Sequence, residues 1–294
     1  MGLIKRLIQK ILSFFGFSLI RNRCRSYDLE MYRRLFDKNS IEKRKFYNIG
    51  AGGFRHPFWT NVDKINDAYI GVQNVNDVIN FDLLKIEPLP INSDSAEIIY
   101  TSHTIEHITD TAAKNMFAES YRSLKKGGVL RITTPNIDLE YRAYKNNDRD
   151  YFYWKEWYST KTDMVNAMIN QPLKDATIQQ LFLHHFAASA STLFTEGDAK
   201  RITDDELDKI FTEYDYEDAL NYCISRCDSV AQNNYPSKHR NWWNKDKLFR
   251  FLTEAGFSNI YLSGYGQSYS PVLRDINYFD NTHPKISIYV EAIK

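Results

Sequence analysis

The sequence predicts an α/β fold in which helices cover both faces of a mainly parallel sheet. Three observations predict it. Short apolar strands alternate with amphipathic helices from residue 45 onwards, a glycine-rich turn follows the first strand, and a helix with two strands closes the chain. Because an alternating chain returns to its sheet through right-handed crossovers, we expect parallel strands, with only the last one antiparallel.

The spacing of apolar residues places each element along the chain. We predict strands at 45–49, 60–63, 78–82, 96–101, 129–133, 257–262 and 286–293. We predict helices at 27–39, 110–126 and 244–255, and glycines at 127–128 and at Gly256 end the last two. Between 140 and 240 the alternation stops, and aromatic residues crowd a mostly helical stretch.

These patterns divide the chain into four parts. Residues 1–40 are an N-terminal amphipathic helical segment, 41–140 the sheet core with its glycine turn, 141–240 a helical insertion, and 241–294 the helix and strands that complete the core. The insertion lies between two strands of the sheet, which is the place for a substrate cap. A structural elaboration with its own hydrophobic core is the alternative interpretation.

The composition excludes several classes of protein. A chain of 294 residues with 43% hydrophobic residues folds into a sizeable core. The net charge of +1, from 38 basic and 37 acidic residues, argues against nucleic acid as a partner. The three cysteines, Cys24, Cys223 and Cys227, form no disulfide framework, so we expect reduced thiols and a cytoplasmic protein.

The first 25 residues, from Met1 to Arg25, carry apolar side chains at helical spacing on one face and basic or polar ones on the other. No apolar stretch is long enough for a transmembrane helix, and charges interrupt the run that a signal peptide needs. Two interpretations remain open. The helix docks on the body of the protein or on a second subunit of a homodimer, or it lies in the surface of an anionic membrane.

A series of glycines and acids follows the predicted strands. Gly50 and Gly52 form a turn at which the backbone can approach a ligand closely, but a dinucleotide motif would continue to a third glycine that is missing. Asp63 ends the next strand, where an acid accepts hydrogen bonds from ribose hydroxyls. Asp82 is placed to accept from an adenine amino group, or to cap a loop. The ordered series indicates a nucleoside-containing ligand.

A second motif contains two histidines and an acid, His103, Glu106 and His107, after a buried strand. It lies at the carboxyl edge of the sheet, where open α/β sheets bind ligands, so both histidines are candidate bases. His184, His185 and His239 could reach the same edge from the insertion. We expect no metal here, with Glu106 and His107 as ligands of a divalent cation in a minority alternative.

These motifs together resemble class I methyltransferases that depend on S-adenosylmethionine. More narrowly, they resemble the methyltransferases predicted in bacterial gene clusters for surface polysaccharides such as capsule and O-antigen. The segments that carry the resemblance are 48–52, 59–63, 82–83, 89–90, 102–107, 124–132, 135–136, 239–243, 279–280 and 287–292. The resemblance implies a Rossmann-like fold and S-adenosylmethionine as the cofactor.

The resemblance also assigns roles to single positions. It places Gly50, Ala51 and Gly52 under the methionine and ribose of the cofactor. Asp63 would bind the ribose, Asp82 and Leu83 would contact the adenine region, and Ser102 and His103 would line the reaction edge. Two positions depart from the family pattern: Asn48 stands where an acid is usual, and Phe54 replaces the third glycine.

The sequence therefore predicts an O-methyltransferase that acts on a surface glycan or a nucleotide- or lipid-linked sugar precursor. The methylated atom would be a sugar hydroxyl or a phosphate-type oxygen, and His103 or His107 would be the base. Such acceptors are made at the inner face of the membrane, which fits the N-terminal helix. The alternatives are an oxidoreductase or epimerase that uses NAD, and a non-catalytic partner recruited to the membrane.

Overall fold

The computed structural model describes residues 25–66, 73, 75–158 and 160–294. The predicted N-terminal amphipathic helix, and Cys24 with it, lie outside the described residues. Within the described ranges, no helix is long and apolar enough to cross a membrane.

Among the described residues, seven strands form one sheet, and α-helices lie before β1, between β4 and β5, and between β5 and β6. The strands are β1 (Phe46–Ile49), β2 (Trp59–Asp63), β3 (Val78–Asn80), β4 (Ala96–Ser102), β5 (Leu124–Pro135), β6 (Asn259–Leu262) and β7 (Ser287–Ile293). The helices are α1 (Arg25–Leu35), α2 (Lys38–Glu42), α3 (Asp110–Ser123), α4 (Ile137–Lys145), α5 (Lys161–Asn166), α6 (Ile178–Phe186), α7 (Asp204–Glu213), α8 (Tyr216–Ser225), α9 (Ser229–Asn234) and α10 (Lys245–Glu254).

The strand order is β3-β2-β1-β4-β5-β7-β6. The first five strands run parallel, and β7 is antiparallel to both of its neighbours, so the predicted α/β fold is confirmed. Ile49 of β1 pairs with Val62 and with Thr101. This register brings the residues that follow β1, β2 and β4 to one edge of the sheet.

Each face of the sheet has its own apolar cluster. Ile99 and Leu130 pack on one face with residues of α3 and α10, including the buried Leu248. Ile98 and Tyr100 point to the other face, where they pack with Tyr32 of α1 and with residues 272–279. The strands alternate between the two clusters because successive side chains of a strand point to opposite faces.

The connection between β1 and β2, residues 50–58, contains no helix, in line with the predicted helices, none of which lies there. Aromatic side chains fill its place. Phe54, His56 and Phe58 form ring contacts with one another or with Trp59, and the indole of Trp59 donates a 2.7 Å hydrogen bond to the hydroxyl of Tyr32. α1 and this loop therefore cover the sheet where a crossover helix would pack.

The predicted end of the helix at 110–126 was wrong by three residues. α3 ends at Ser123, and Leu124 already pairs with Ala96 of β4. Leu124 is fully buried, so its packing against the sheet begins the strand before the two glycines are reached. An irregularity between Ala96 and Ile98 absorbs the extra residues of β5.

A charged cluster is buried where β5 meets β7. Arg131 is fully buried and forms ion pairs with Asp280 and with Glu291, at 3.1 Å from its Oε1. Its guanidinium also donates to the hydroxyl of Ser263 at 2.7 Å and to the carbonyl of Gly264 at 2.9 Å. Two carboxylates and these oxygens satisfy the buried cation. Through Arg131, β5 therefore holds the residues that follow β6 and those that precede β7.

The stretch between β5 and α10 is mostly helical and has a separate apolar core. Phe182 of α6 packs between Tyr144 of α4 and Phe211 of α7, and Leu220 of α8 and Trp242 belong to the same cluster. Cys223 lies buried in this core as a free thiol, and Cys227 is a second free thiol beside it.

Candidate functional site

A cleft of about 220 Å³ opens at the carboxyl edge of β1, β2 and β4. Of the predicted site residues, seven line it: Gly50, Gly52, Asp63, Asp82, Leu83, His103 and His107. Its other described lining residues are Val62, Lys64, Asn66, Phe81, Leu84, Thr104, Ile108 and Pro236. Apolar side chains thus face a row of glycines and acids, as a nucleoside requires.

The two predicted glycines lie in the cleft for different reasons. Gly50 has φ +69, and a Cβ there would lie 2.8 Å from Cβ of Thr104 and still closer to its Oγ1 and Cγ2. Gly52 has φ +51, and a Cβ there would meet nothing within 4 Å. Gly50 is therefore needed for close packing of the chain on itself, whereas Gly52 leaves open space for a ligand.

Asp63 is held in place by the glycine turn. Its Oδ2 accepts hydrogen bonds from the N–H of Gly52 at 2.7 Å and from Nε2 of Gln73 at 3.0 Å, and its Oδ1 accepts from the N–H of Lys64 at 2.8 Å. A carboxylate offers about four acceptor positions, so Oδ1 keeps one for a ligand hydroxyl.

Asp82 lies in the cleft, and its carboxylate also contacts the protein. Its Oδ1 accepts from the N–H of Leu84 at 3.0 Å and so caps the 3-10 turn Leu83–Lys85. Its Oδ2 forms a 2.8 Å ion pair with Lys64. The loop cap is therefore present, and both oxygens keep acceptor positions, so the contact with the adenine region stays a prediction.

Three predicted cofactor residues, Asn48, Ala51 and Ser102, are absent from the described lining of this cleft. Asn48 is buried, and its Oδ1 has no hydrogen-bond partner among the described residues. Ser102 is half-buried beside Tyr100, to which its side chain is hydrogen-bonded. The cofactor contacts predicted for Asn48, Ala51 and Ser102 therefore stay predictions.

A second cavity of about 260 Å³ adjoins the first and shares His103 and His107 with it. Six of the seven histidines of the chain line it: His103, His107, His184, His185, His239 and His283. Trp154, Trp157, Tyr158 and Lys238 complete much of its wall. The insertion therefore supplies one side of a chamber whose other side is the edge of the sheet.

His103 stands at the junction in a backbone conformation with φ +50, which is uncommon for any residue other than glycine. Its Nε2 lies 2.8 Å from the hydroxyl of Ser287, and its Nδ1 lies 3.1 Å from Oε1 of Glu106. Strained backbone conformations are typical of functional residues, and the side chain of His103 lines both cavities.

Glu106 is buried beneath the histidines. Its Oε2 accepts a 3.0 Å hydrogen bond from Thr134, and its Oε1 faces Nδ1 of His103 at 3.1 Å. Burial opposes ionisation, but the neighbouring His103 and His107 outweigh it and hold the pKa of Glu106 below its usual value. A negative charge is therefore fixed under the junction at neutral pH.

His107 and His239 have their rings 4.7 Å apart, and both donate from Nδ1 to backbone carbonyls. His107 donates to the carbonyl of Lys238 at 3.2 Å, and His239 donates to the carbonyl of His185. Burial lowers the pKa of His107 although Glu106 opposes it, and burial together with His107 lowers that of His239 far below 6.5. Both rings are neutral at pH 7, with the lone pair on Nε2.

Sequence reasoning missed part of the second cavity. His283 has φ +44, lies 5.4 Å from the ring of His103, and has its pKa lowered to about 4 by burial and by His103. Trp157 and Lys238 were not singled out either. A lone histidine in a polar loop carries no periodic signal, and only the fold places these side chains beside the motif at 102–107.

The strand order with its antiparallel β7 is the Rossmann-like fold of class I methyltransferases, which confirms the fold that the sequence predicted. A family model described as a methyltransferase domain matches residues 60–132, the part of the chain from β2 into β5. The match supports S-adenosylmethionine as the cofactor, and the residues of the first cleft fit such a ligand. Gly52 leaves it space, Asp63 offers a hydrogen-bond acceptor, and Phe81 with Leu84 offers an apolar wall.

Solved structures of methyltransferases are among those to which the chain is similar, at low sequence identity. A SAM-dependent methyltransferase from Thermotoga maritima is 12% identical, with a TM-score of 0.40 over 91% of this chain and 87% of that chain. One from Mesorhizobium loti is 10% identical, with a TM-score of 0.39 over 90% and 96%. Phosphoethanolamine N-methyltransferase 2 of Haemonchus contortus, in complex with S-adenosyl-L-methionine, is 12% identical, with a TM-score of 0.36 over 92% and 52%. No curated protein sequence matches the chain.

Proposed function

We propose that the protein is an S-adenosylmethionine-dependent O-methyltransferase that modifies a surface glycan or its nucleotide- or lipid-linked precursor. One observation carries the proposal: the cleft lined by the glycine turn and Asp63 meets a histidine-lined cavity at His103 and His107. A methyl donor in the first cavity and an acceptor in the second would meet at these two side chains, as a displacement requires.

His103 is the stronger candidate for the base. The hydroxyl of Ser287 lies 2.8 Å from its Nε2 and donates its own proton to the carbonyl of His283, so it accepts from that nitrogen. An acceptor hydroxyl that replaced Ser287 beside Nε2 of the other tautomer would give up its proton there. The ionised Glu106, 3.1 Å from Nδ1, stabilises the imidazolium that forms. S-adenosylmethionine supplies a methyl group already activated for transfer, so orientation and proton removal are the tasks of the protein.

The walls of the second cavity support a sugar-containing acceptor. The side chain of Trp157 is 49% exposed although it lines the cavity, so its ring is available to pack against the apolar face of a sugar. Burial lowers the pKa of Lys238 to about 8, so this lysine still carries a positive charge at neutral pH and suits a phosphate-linked acceptor.

The loop between β1 and β2 argues against the alternative that uses NAD. Dinucleotide sites bind pyrophosphate at the N-terminus of a helix that follows the glycine turn, and residues 50–58 contain no helix.

Attachment to the inner membrane surface through residues 1–25 is a further part of the proposal. Flotation with anionic liposomes tests it, and equal behaviour of the full chain and a chain lacking those residues would refute it.

Transfer of labelled methyl groups from S-adenosylmethionine to nucleotide-linked, lipid-linked and polymeric glycans tests the activity. In His103→Asn, asparagine tolerates the positive φ but provides no base, so we expect kcat to fall by about 10²–10⁴-fold while cofactor affinity is kept. His56→Gln, outside both cavities, is the matched control and should keep kcat. Undiminished kcat in His103→Asn would exclude His103 as the base, and absence of labelling from every glycan would refute the acceptor class.

A further inference from the structure

Beside the second cavity, three side chains bring their ligand atoms together; two of them, His107 and His239, line that cavity. Glu106, His107 and His239 each offer one such atom, and the three atoms lie within 4.8 Å of one another. Nε2 of His239 lies 4.0 Å from Oε1 of Glu106. We propose that these three residues bind a divalent first-row transition metal ion, at a site that shares His107 with the cofactor cleft and whose occupancy does not depend on the proposed methyl transfer.

The hydrogen bonds around the two histidines prepare them as ligands. A carbonyl oxygen can only accept, so His107 and His239 must both donate from Nδ1 to the carbonyls of Lys238 and His185. In a neutral ring the lone pair is then on Nε2. Metal-binding histidines are oriented in this way by carbonyls or carboxylates that hold the opposite nitrogen.

Glu106 provides the charge that favours a cation at this position. Its side chain is 1% exposed, Oε2 is fixed by Thr134, and Oε1 lies 3.1 Å from Nδ1 of His103. A carboxylate oxygen accepts through two lone pairs, so Oε1 keeps one acceptor position, and Nε2 of His239 lies 4.0 Å from it. A cation between these three atoms would satisfy all of them.

The ligand types define the class of metal. Two imidazoles and one carboxylate form the set found in catalytic zinc sites and in facial iron sites, where further coordination positions stay open. Mg²⁺ and Ca²⁺ prefer sites made of oxygen ligands, so they fit this set poorly. The cavity lies on the open side of the three ligands, so an oxygen of the acceptor would be the expected further ligand and would lose its proton more readily there.

Metal uptake by the full-length protein after treatment with a chelator tests the site without any activity assay. Equilibrium dialysis with elemental analysis should give one Zn²⁺ or Co²⁺ per chain and no Mg²⁺, and Co²⁺ should acquire the visible absorption of a site with nitrogen ligands. Glu106→Gln and His239→Gln preserve side-chain bulk, and each should weaken Co²⁺ binding by at least roughly 100-fold, more than changes to outer residues do.

His283→Asn is the matched control, since His283 lines the same cavity outside the three ligands and asparagine tolerates its positive φ. It should bind Co²⁺ as the unchanged protein does. Circular dichroism verifies that each variant is folded. The proposal is overturned if the unchanged protein takes up no metal, or if the folded ligand variants keep its Co²⁺ affinity and spectrum, or if His283→Asn loses binding as strongly as they do.

Discussion

Gly50 and Gly52 provide a test of the packing that shapes the cofactor cleft. Alanine at either position must adopt a positive φ, which costs about 1–2 kcal/mol for an L-residue. At Gly50 the new methyl would also collide with Thr104, and overpacking of this kind costs about 1–3 kcal/mol more. We therefore expect a loss of about 2–5 kcal/mol for Gly50→Ala and about 1–2 kcal/mol for Gly52→Ala.

Urea titrations followed by circular dichroism give the free energy of unfolding of each variant. The change in unfolded-chain entropy from glycine to alanine is common to both, so their difference measures the collision. Thr104→Ala in the Gly50→Ala background should recover a large part of that difference, since it removes the two closest atoms. Equal destabilisation by both alanines, or no recovery in the double variant, would refute this reasoning.

Three further predictions concern the cofactor, the buried ion cluster and the dependence on pH. Asp63→Ala should weaken S-adenosylhomocysteine binding roughly 10–100-fold in calorimetry, because Oδ1 of Asp63 keeps an acceptor position in the cleft. Arg131→Met leaves the buried carboxylates of Asp280 and Glu291 without their cation, so the free energy of unfolding in urea titrations should fall by about 3–5 kcal/mol. Arg250→Met removes an exposed ion pair and should lower it by at most about 1 kcal/mol. Burial lowers the pKa of His56 from 6.5 to about 4, so the neutral ring contributes its full stabilisation above pH 6.5, and this stabilisation is lost as the pH falls to about 4. In His56→Gln, the free energy of unfolding should therefore change less between pH 6.5 and about 4 than in the unchanged protein.

The sheet could be predicted from sequence because its signals are local and periodic. Strands β1, β2, β4 and β7 were predicted to within a residue or two, and so was the helix that begins after Asn244, whose side chain caps α10. The end of α3 was mistaken because Leu124 is drawn into the sheet by its burial, a tertiary effect that overrides the stop signal of the following glycines.

The site could be predicted only where its residues follow a strand. Asp63 and His103 lie directly at strand ends, so their position at the sheet edge follows from the order of strands. His283 and Trp157 reach the cavity from loops that are distant in sequence. The convergence of His239 with Glu106 depends on how the insertion folds back over the sheet, and no spacing along the chain encodes it.

Binding of the cofactor to the full-length protein tests the central claim most directly. In isothermal titration, S-adenosylhomocysteine should bind stoichiometrically, Asp63→Ala should weaken it, and NAD should release no heat at the same concentration. Saturable binding of NAD with no response to S-adenosylmethionine or S-adenosylhomocysteine would contradict the account.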